Sequence, residues 1–118
     1  MLDTSEERQI MGGMVQDRLP LPDNIGKTRF LRGIHGEVRS FEIVDEVKRL
    51  QYDNSEKAIY LQLLRFKDAK RTELRLGYYM KGKKPKTKGR WVWGQFATMI
   101  PSRDFRILIK SAEEKGWI

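Results

Sequence analysis

From Thr72 to Pro101 the chain alternates apolar and polar residues on either side of a lysine-rich interruption. In TELRLGYYM, Leu74, Leu76, Tyr78 and Met80 share one parity and Glu73, Arg75, Gly77 and Tyr79 the other. The period of two in a strand puts these sets on opposite faces. In RWVWGQFATMI, Trp91, Trp93, Gln95, Ala97 and Met99 share one face, and Val92, Gly94, Phe96, Thr98 and Ile100 the other. β-branched and aromatic residues dominate both runs, which suits a pleated, half-buried surface. Upstream, Ala58 to Phe66 (AIYLQLLRF) is apolar almost throughout, broken at Gln62 and Arg65. Such a run predicts a central strand covered on both faces. The polar stretch Lys67-Asp68-Ala69-Lys70-Arg71 then turns it back in a hairpin.

The periodicity changes after Pro101. Phe105, Leu108, Ile109 and Ala112 follow the spacing of a core-facing helical stripe. Ser102 is the expected N-cap, with Asp104 in the first turn. Gly116 suits the C′ position, where Trp117 packs back on Ala112. Residues 37–52, EVRSFEIVDEVKRLQY, admit two readings. As a helix, Ser40 caps it and Ile43, Val47 and Leu50 share a face. As a strand, Phe41, Ile43, Asp45 and Val47 alternate poorly. Helix is favoured for the first half, and Val47 to Tyr52 stays open as a strand pairing across the turn Asp53-Asn54-Ser55. The expected fold is α+β: an antiparallel meander of three to four strands (58–67, 72–81, 90–100 and, as a fourth, 47–52), with a C-terminal helix at 102–115 across one face. That domain spans 33–118. Residues 1–32 are expected to form a weakly structured N-terminal arm. In it Thr4 or Ser5 caps a short helix, Gly12-Gly13 interrupts it, and Pro20 and Pro22 extend the chain.

Charge adds a location. The 118 residues carry a formal net charge of +8. From Arg65 to Arg90 there are eleven Lys and Arg against two acids; the rest of the chain, with thirteen against fourteen, is nearly neutral. Basicity confined to one region points to a polyanionic partner. Its densest part is Lys81-Gly82-Lys83-Lys84-Pro85-Lys86-Thr87-Lys88-Gly89-Arg90, six cations and no acid. Mutual repulsion predicts a loop that stays extended until an anion arrives. With no cysteine, disulfides and thiolate metal sites are excluded, and the single histidine, His35, sits in a turn-like Gly33-Ile34-His35-Gly36. No apolar run approaches a membrane span. The N-terminal MLDTSEERQI has neither the charged nor the apolar region of a signal peptide, so a cytoplasmic protein is expected.

Catalytic chemistry is weakly represented. Gly26-Lys27-Thr28 lacks the glycine that a phosphate loop needs five positions earlier, where Leu21 stands. Glu46-Val47-Lys48 has the spacing of metal-dependent nucleases, but Asp23, its upstream aspartate, lies in a proline-rich segment. A solvated surface is the plainer account of that triplet, and nothing in the chain calls for a cofactor. The aromatics say more. With Leu74, Leu76, Tyr78 and Met80 under the helix, Arg75, Tyr79 and Lys81 face solvent, next to Trp91 and Trp93. Rings and cations on one sheet face can bind single strands, the bases stacking while the cations neutralise phosphates.

The expectation is therefore a nucleic-acid-binding module for single-stranded or distorted DNA or RNA. Lys81, Lys83, Lys84, Lys86, Lys88 and Arg90 would meet phosphates, with Arg75 in support, and Tyr79, Trp91 and Trp93 would stack. The competing expectation is a protein-interaction adaptor of a mobile element or multi-subunit complex, whose basic loop meets an acidic partner and whose aromatic rows form the interface. A hydrolytic enzyme acting on nucleic acid is a weaker third. Leu74-Arg75-Leu76-Gly77-Tyr78-Tyr79-Met80, the loop ending Lys88-Gly89-Arg90-Trp91, and the helix after Pro101 resemble in order and spacing the single-stranded-DNA-binding domain of positive-cofactor-four type coactivators. The resemblance covers about half the chain. Trp91-Val92-Trp93 departs from that family's plainer strand, and the family's first strand has no clear counterpart. It implies a homodimer that binds a strand through its sheet and basic loop.

Overall fold

A strand that is apolar on both faces has to be covered on both, and this sheet is arranged accordingly. The computed structural model describes residues 20–118. β3 (Asn54–Phe66) lies at the centre, between β2 (Val38–Gln51) and β4 (Thr72–Lys81), with β1 (Thr28–Arg32) and β5 (Trp91–Trp93) at the edges. Every neighbouring pair is antiparallel, so the order β1-β2-β3-β4-β5 is a meander curled into a half-barrel. α1 (Ser102–Glu114) packs on the face that carries Ile59 and Leu61. The α+β meander with a C-terminal helix is thus the observed architecture, with five strands where three to four were expected. β1 lies within the stretch assigned to the N-terminal arm, and the helix expected near the N-terminus falls outside the described residues.

The alternation of β3 divides the core. Ile59 and Leu61 point to α1 and pack with Leu108 and Ala112, flanked by Val47, Leu76, Ile100, Ile109 and Trp117. On the opposite, concave face Leu64 and Phe66 pack with Phe41 and Ile43 of β2. Leu76 reaches the helix side as its parity requires. Of the helical stripe, Leu108 and Ala112 are fully buried, whereas Phe105 is partly exposed.

β2 is a strand throughout, which corrects the helical reading of its first half. The reason lies in a bulge. Ile43 pairs with Leu64 and Asp45 with Leu63, so Val44 is an extra residue in the ladder. Phe41 and Ile43 face the concave side before it; Glu46, Lys48 and Leu50 do so after it. The parity switch makes a strand look non-alternating and places Ile43, Val47 and Leu50 at helical spacing.

The third expected strand, 90–100, is paired only at Trp91–Trp93. After a last bond from Gly94 N to Tyr78 O (2.8 Å), the chain leaves the ladder and crosses toward the helix side, where Lys57 Nζ donates to Met99 O. The helix then starts at residue 102 as expected, but with a different cap. Pro101 is the N-cap and makes no side-chain capping bond, so Ser102 is the first helical residue, not the cap. The other end is as expected. Gly116 takes φ +79°, Gly116 N donates to Glu113 O (3.0 Å) and Trp117 N to Ala112 O (2.9 Å). That is the Schellman arrangement, with Trp117 packed against the cluster containing Ala112.

One ion pair fixes the helix to the sheet. Arg49 Nε and Asp104 Oδ1 lie 2.9 Å apart with both side chains buried. Asp104 Oδ2 also accepts from Tyr52 N at 3.3 Å. Burial nevertheless pushes the Asp104 carboxyl up from its ordinary value, against the opposing pull of the Tyr52 amide and Arg49. Removing one partner strands a buried charge, while replacing both by apolar groups does not. Arg49→Ala is expected to cost about 3–5 kcal/mol in urea unfolding, and the pair Arg49→Met with Asp104→Leu to recover most of it.

Candidate nucleic-acid interface on the concave face

The concave face is built around a carboxylate. Glu46, one residue beyond the bulge pair, has a side chain wholly out of water. Four donors satisfy it. Oε2 accepts from Asn24 N (2.9 Å) and Lys48 Nζ (3.2 Å), and Oε1 from Asn24 Nδ2 (3.2 Å) and Gln62 Nε2 (2.9 Å). Asn24 belongs to a strap, residues 20–26, laid across the face. Pro22 O accepts from Tyr60 OH (2.6 Å) and Lys48 Nζ (2.9 Å), Asn24 Oδ1 from Tyr79 OH (3.2 Å), and Ile43 O from Gly26 N (2.7 Å). Burial, reinforced by Glu46 and Tyr79, raises the Tyr60 phenol far above its ordinary range, so it stays protonated and donates to Pro22 O.

This network takes up the nuclease-like triplet, whose Glu46 is buried rather than solvated as expected. Glu46 and Lys48 do lie side by side, but both oxygens of Glu46 are consumed by the strap and Gln62. Asp23 is exposed and accepts from Ile25 N (3.1 Å). Among the described residues no group of three or more acidic or histidine side chains is placed to hold a metal ion. His35 is an exposed residue of the β1–β2 turn, closed by Gly33 N to Glu37 O at 2.8 Å.

Beside the network the hairpin of β4 and β5 gathers rings. Tyr79 is the cross-strand partner of Trp93, and Lys81 of Trp91, so all four face the concave side together with Arg75. Tyr79 meets Tyr60 and Trp93 edge-on, each at 4.9 Å between centroids. Trp93 lies over Gly77, where a Cβ would overlap its indole. Arg75 is half-buried, its guanidinium 4.8 Å from the Trp93 centroid and its Nε donating to Gln62 Oε1 at 2.9 Å. Lys81 Nζ sits 5.5 Å from the Trp91 centroid. The Trp91 indole N–H is buried and meets no acceptor among the described residues.

Five of the ten expected site residues (Arg75, Tyr79, Lys81, Trp91 and Trp93) therefore share one face. They are half-buried rather than freely exposed, because the strap and the network cover the middle of the half-barrel. The other five lie in the adjoining loop, which is folded rather than extended. Gly82 N donates to Arg90 O (2.8 Å), Thr87 N to Lys84 O (3.0 Å) and Arg90 N to Thr87 O (2.8 Å). Gly89 takes φ +79°, and Thr87 packs on Gly82 where any Cβ would collide. Repulsion is relieved by geometry: the loop closes through its backbone and turns its cations outward. Lys83 is neutralised by Glu56. Lys84, Lys86, Lys88 and Arg90 are exposed and have no acidic partner among the described residues.

The sequence reading passed over Asn24, Gln62 and Arg29, all of which shape this face. Gln62 carried a signal, as the one amide inside an apolar strand; the other two carried none. Comparison with protein families, with curated proteins and with solved structures returns no match. Gly77→Ala is expected to displace the Trp93 ring. The outcome to measure is an altered near-ultraviolet circular-dichroism spectrum with about 1–3 kcal/mol lost in stability.

Proposed function

We propose that this chain is a nucleic-acid-binding module that takes single-stranded DNA or RNA along the β4–β5 hairpin. The observation that carries the reading is the juxtaposition of Tyr79, Lys81, Trp91 and Trp93 on one face with a closed loop whose Lys84, Lys86, Lys88 and Arg90 lack counter-charges. Cations held outward by a rigid backbone lose little entropy when a phosphate backbone arrives. Trp91 is the favoured stacking ring, since Tyr79 and Trp93 are already packed edge-on against each other and Arg75. Duplex readout is disfavoured, because the basic loop and the half-barrel offer no helix or long ribbon to a major groove. Lys81 and Arg75 support the track from the face itself.

A protein-partner reading has its own observation. Phe30 and Ile34 of the β1 edge hairpin are 72% and 94% exposed, and Phe96 and Met99 before α1 are 84% and 80% exposed. Large apolar groups at two edges suit a protein contact, a second copy of the chain included. The adaptor expectation placed its interface on the basic loop and aromatic rows; these apolar edges are a separate surface for such a contact.

Fluorescence anisotropy with mixed-sequence single strands over a salt series tests the first reading. Neutralisation of about four phosphates gives a slope of log affinity against log salt of about −3. Changing Lys84, Lys86 and Lys88 together to alanine should flatten it by about 2 and weaken all sequences alike. Trp91→Ala should cost about 1–3 kcal/mol and leave the slope nearly unchanged. Thermal melting of each variant guards the comparison. If the triple-lysine variant binds as the parent does, the proposed track is wrong and the protein-partner reading leads.

A further inference from the structure

Two arginines, Arg29 and Arg75, flank Phe41 on the concave face. The Arg75 guanidinium is held between the rings of Phe41 (5.0 Å) and Trp93 (4.8 Å), and its Nε is fixed by Gln62 Oε1 at 2.9 Å. The rings and the amide set its plane, and among the described residues neither terminal nitrogen meets an acceptor; they form the fork that grips an oxyanion through two parallel bonds. Arg29 stands on the next side of the same ring: it is the cross-strand partner of Phe41 and shares its face. Among the described residues its side chain makes one hydrogen bond, a local one from Nη1 to Thr28 O at 3.0 Å.

The neighbouring charges do not cancel this pair. Arg39, on the same face, is already held by Asp68 and Glu73. The nearest acid in the interior, Glu46, is saturated by its four donors, with Gln62 interposed between it and Arg75. Lys48 is engaged with Glu46 and Pro22. Burial above all, with Arg29 adding to it, pushes the Arg75 guanidinium down from the ordinary arginine value against the opposing pull of Tyr79 and Glu46. An anion arriving there relieves both effects at once.

We propose that Arg29 and Arg75 form a clamp for a phosphomonoester dianion and, building on the strand-binding function above, that its ligand is the terminal phosphate of the bound strand. Two uncompensated cations, one of them shielded from water, favour a doubly charged group over the singly charged diesters within a strand. The phosphomonoester is that group above its second pKa of about 6. A small phosphorylated molecule offers the same chemistry, so the test separates the two sources.

Full-length protein is titrated with two otherwise identical single strands, one ending in a 5′-phosphate and one in a 5′-hydroxyl, with a 3′-phosphorylated strand, and with inorganic phosphate and a nucleoside 5′-monophosphate alone. The expected result is that one end-phosphorylated strand binds at least about fivefold tighter than the hydroxyl strand at equal salt. That ratio should shrink as the pH falls through about 6. Arg29 is exposed, so Arg29→Ala should fold normally and bring the ratio to about one. Saturable quenching of tryptophan fluorescence by phosphate or the mononucleotide, lost in Arg29→Ala, with no strand binding at all, would keep the clamp and reassign it to a small phosphorylated ligand, while removing the strand-binding function. Equal affinity for all strands, with no competition by phosphate, would overturn the clamp and leave strand binding standing.

Discussion

A buried carboxylate is tolerated only when its lone pairs are filled, and Glu46 imposes that condition on half of this molecule. Its four hydrogen bonds draw in Asn24 and thereby the strap, Gln62 from the centre of β3, and Lys48 from its own strand. Gln62 in turn fixes Arg75, and Asn24 fixes Tyr79. Together with the bonds from Tyr60 and Lys48 to Pro22 and from Tyr79 to Asn24, this anchor holds the strap over β3. The helix-side face is closed by ordinary apolar packing under α1. The concave face joins the apolar cluster of Phe41, Ile43, Leu64 and Phe66 to a polar network whose members are each held by another.

On the proposed function, stability and recognition are built from the same parts. Gln62 is at once a filler of β3, a donor to Glu46 and the acceptor that orients Arg75. Trp93 covers Gly77 and supplies one wall of the Arg75 slot. A face assembled in this way is preorganised, so a ligand meets cations already in place and the entropic cost of ordering them has been met in folding. The closed Lys81–Arg90 loop follows the same principle through backbone bonds and two glycines.

Much of the fold was legible because it follows from local periodicity. The two-sided apolar run at 58–66, the alternation in Thr72–Lys81, and the α1 stripe with its Gly116 terminus each read correctly, since period and end chemistry are properties of a few adjacent residues. β2 misled for a definite reason: one inserted residue, Val44, reverses parity and imitates helical spacing. The Trp91–Ile100 run misled because alternation continues past Gly94 although pairing does not. At Gly94 the ring of Tyr78 occupies the position a side chain would need, and the chain leaves for the helix side.

The candidate face divides along the same line. The sequence by itself determined that basicity is concentrated between Arg65 and Arg90, that rings border it, and which of them share a strand face. Only the tertiary structure decided how much of that face is open. The strap covering it comes from residues 20–26, and its anchor is 22 positions away along the chain in Glu46, a separation that no local pattern encodes. The pairing of Arg29 with Arg75 likewise depends on β1, β2 and β4 meeting around Phe41. Periodicity constrains which way a side chain points; which partners wait there is set by long-range packing and by the need to satisfy every buried charge.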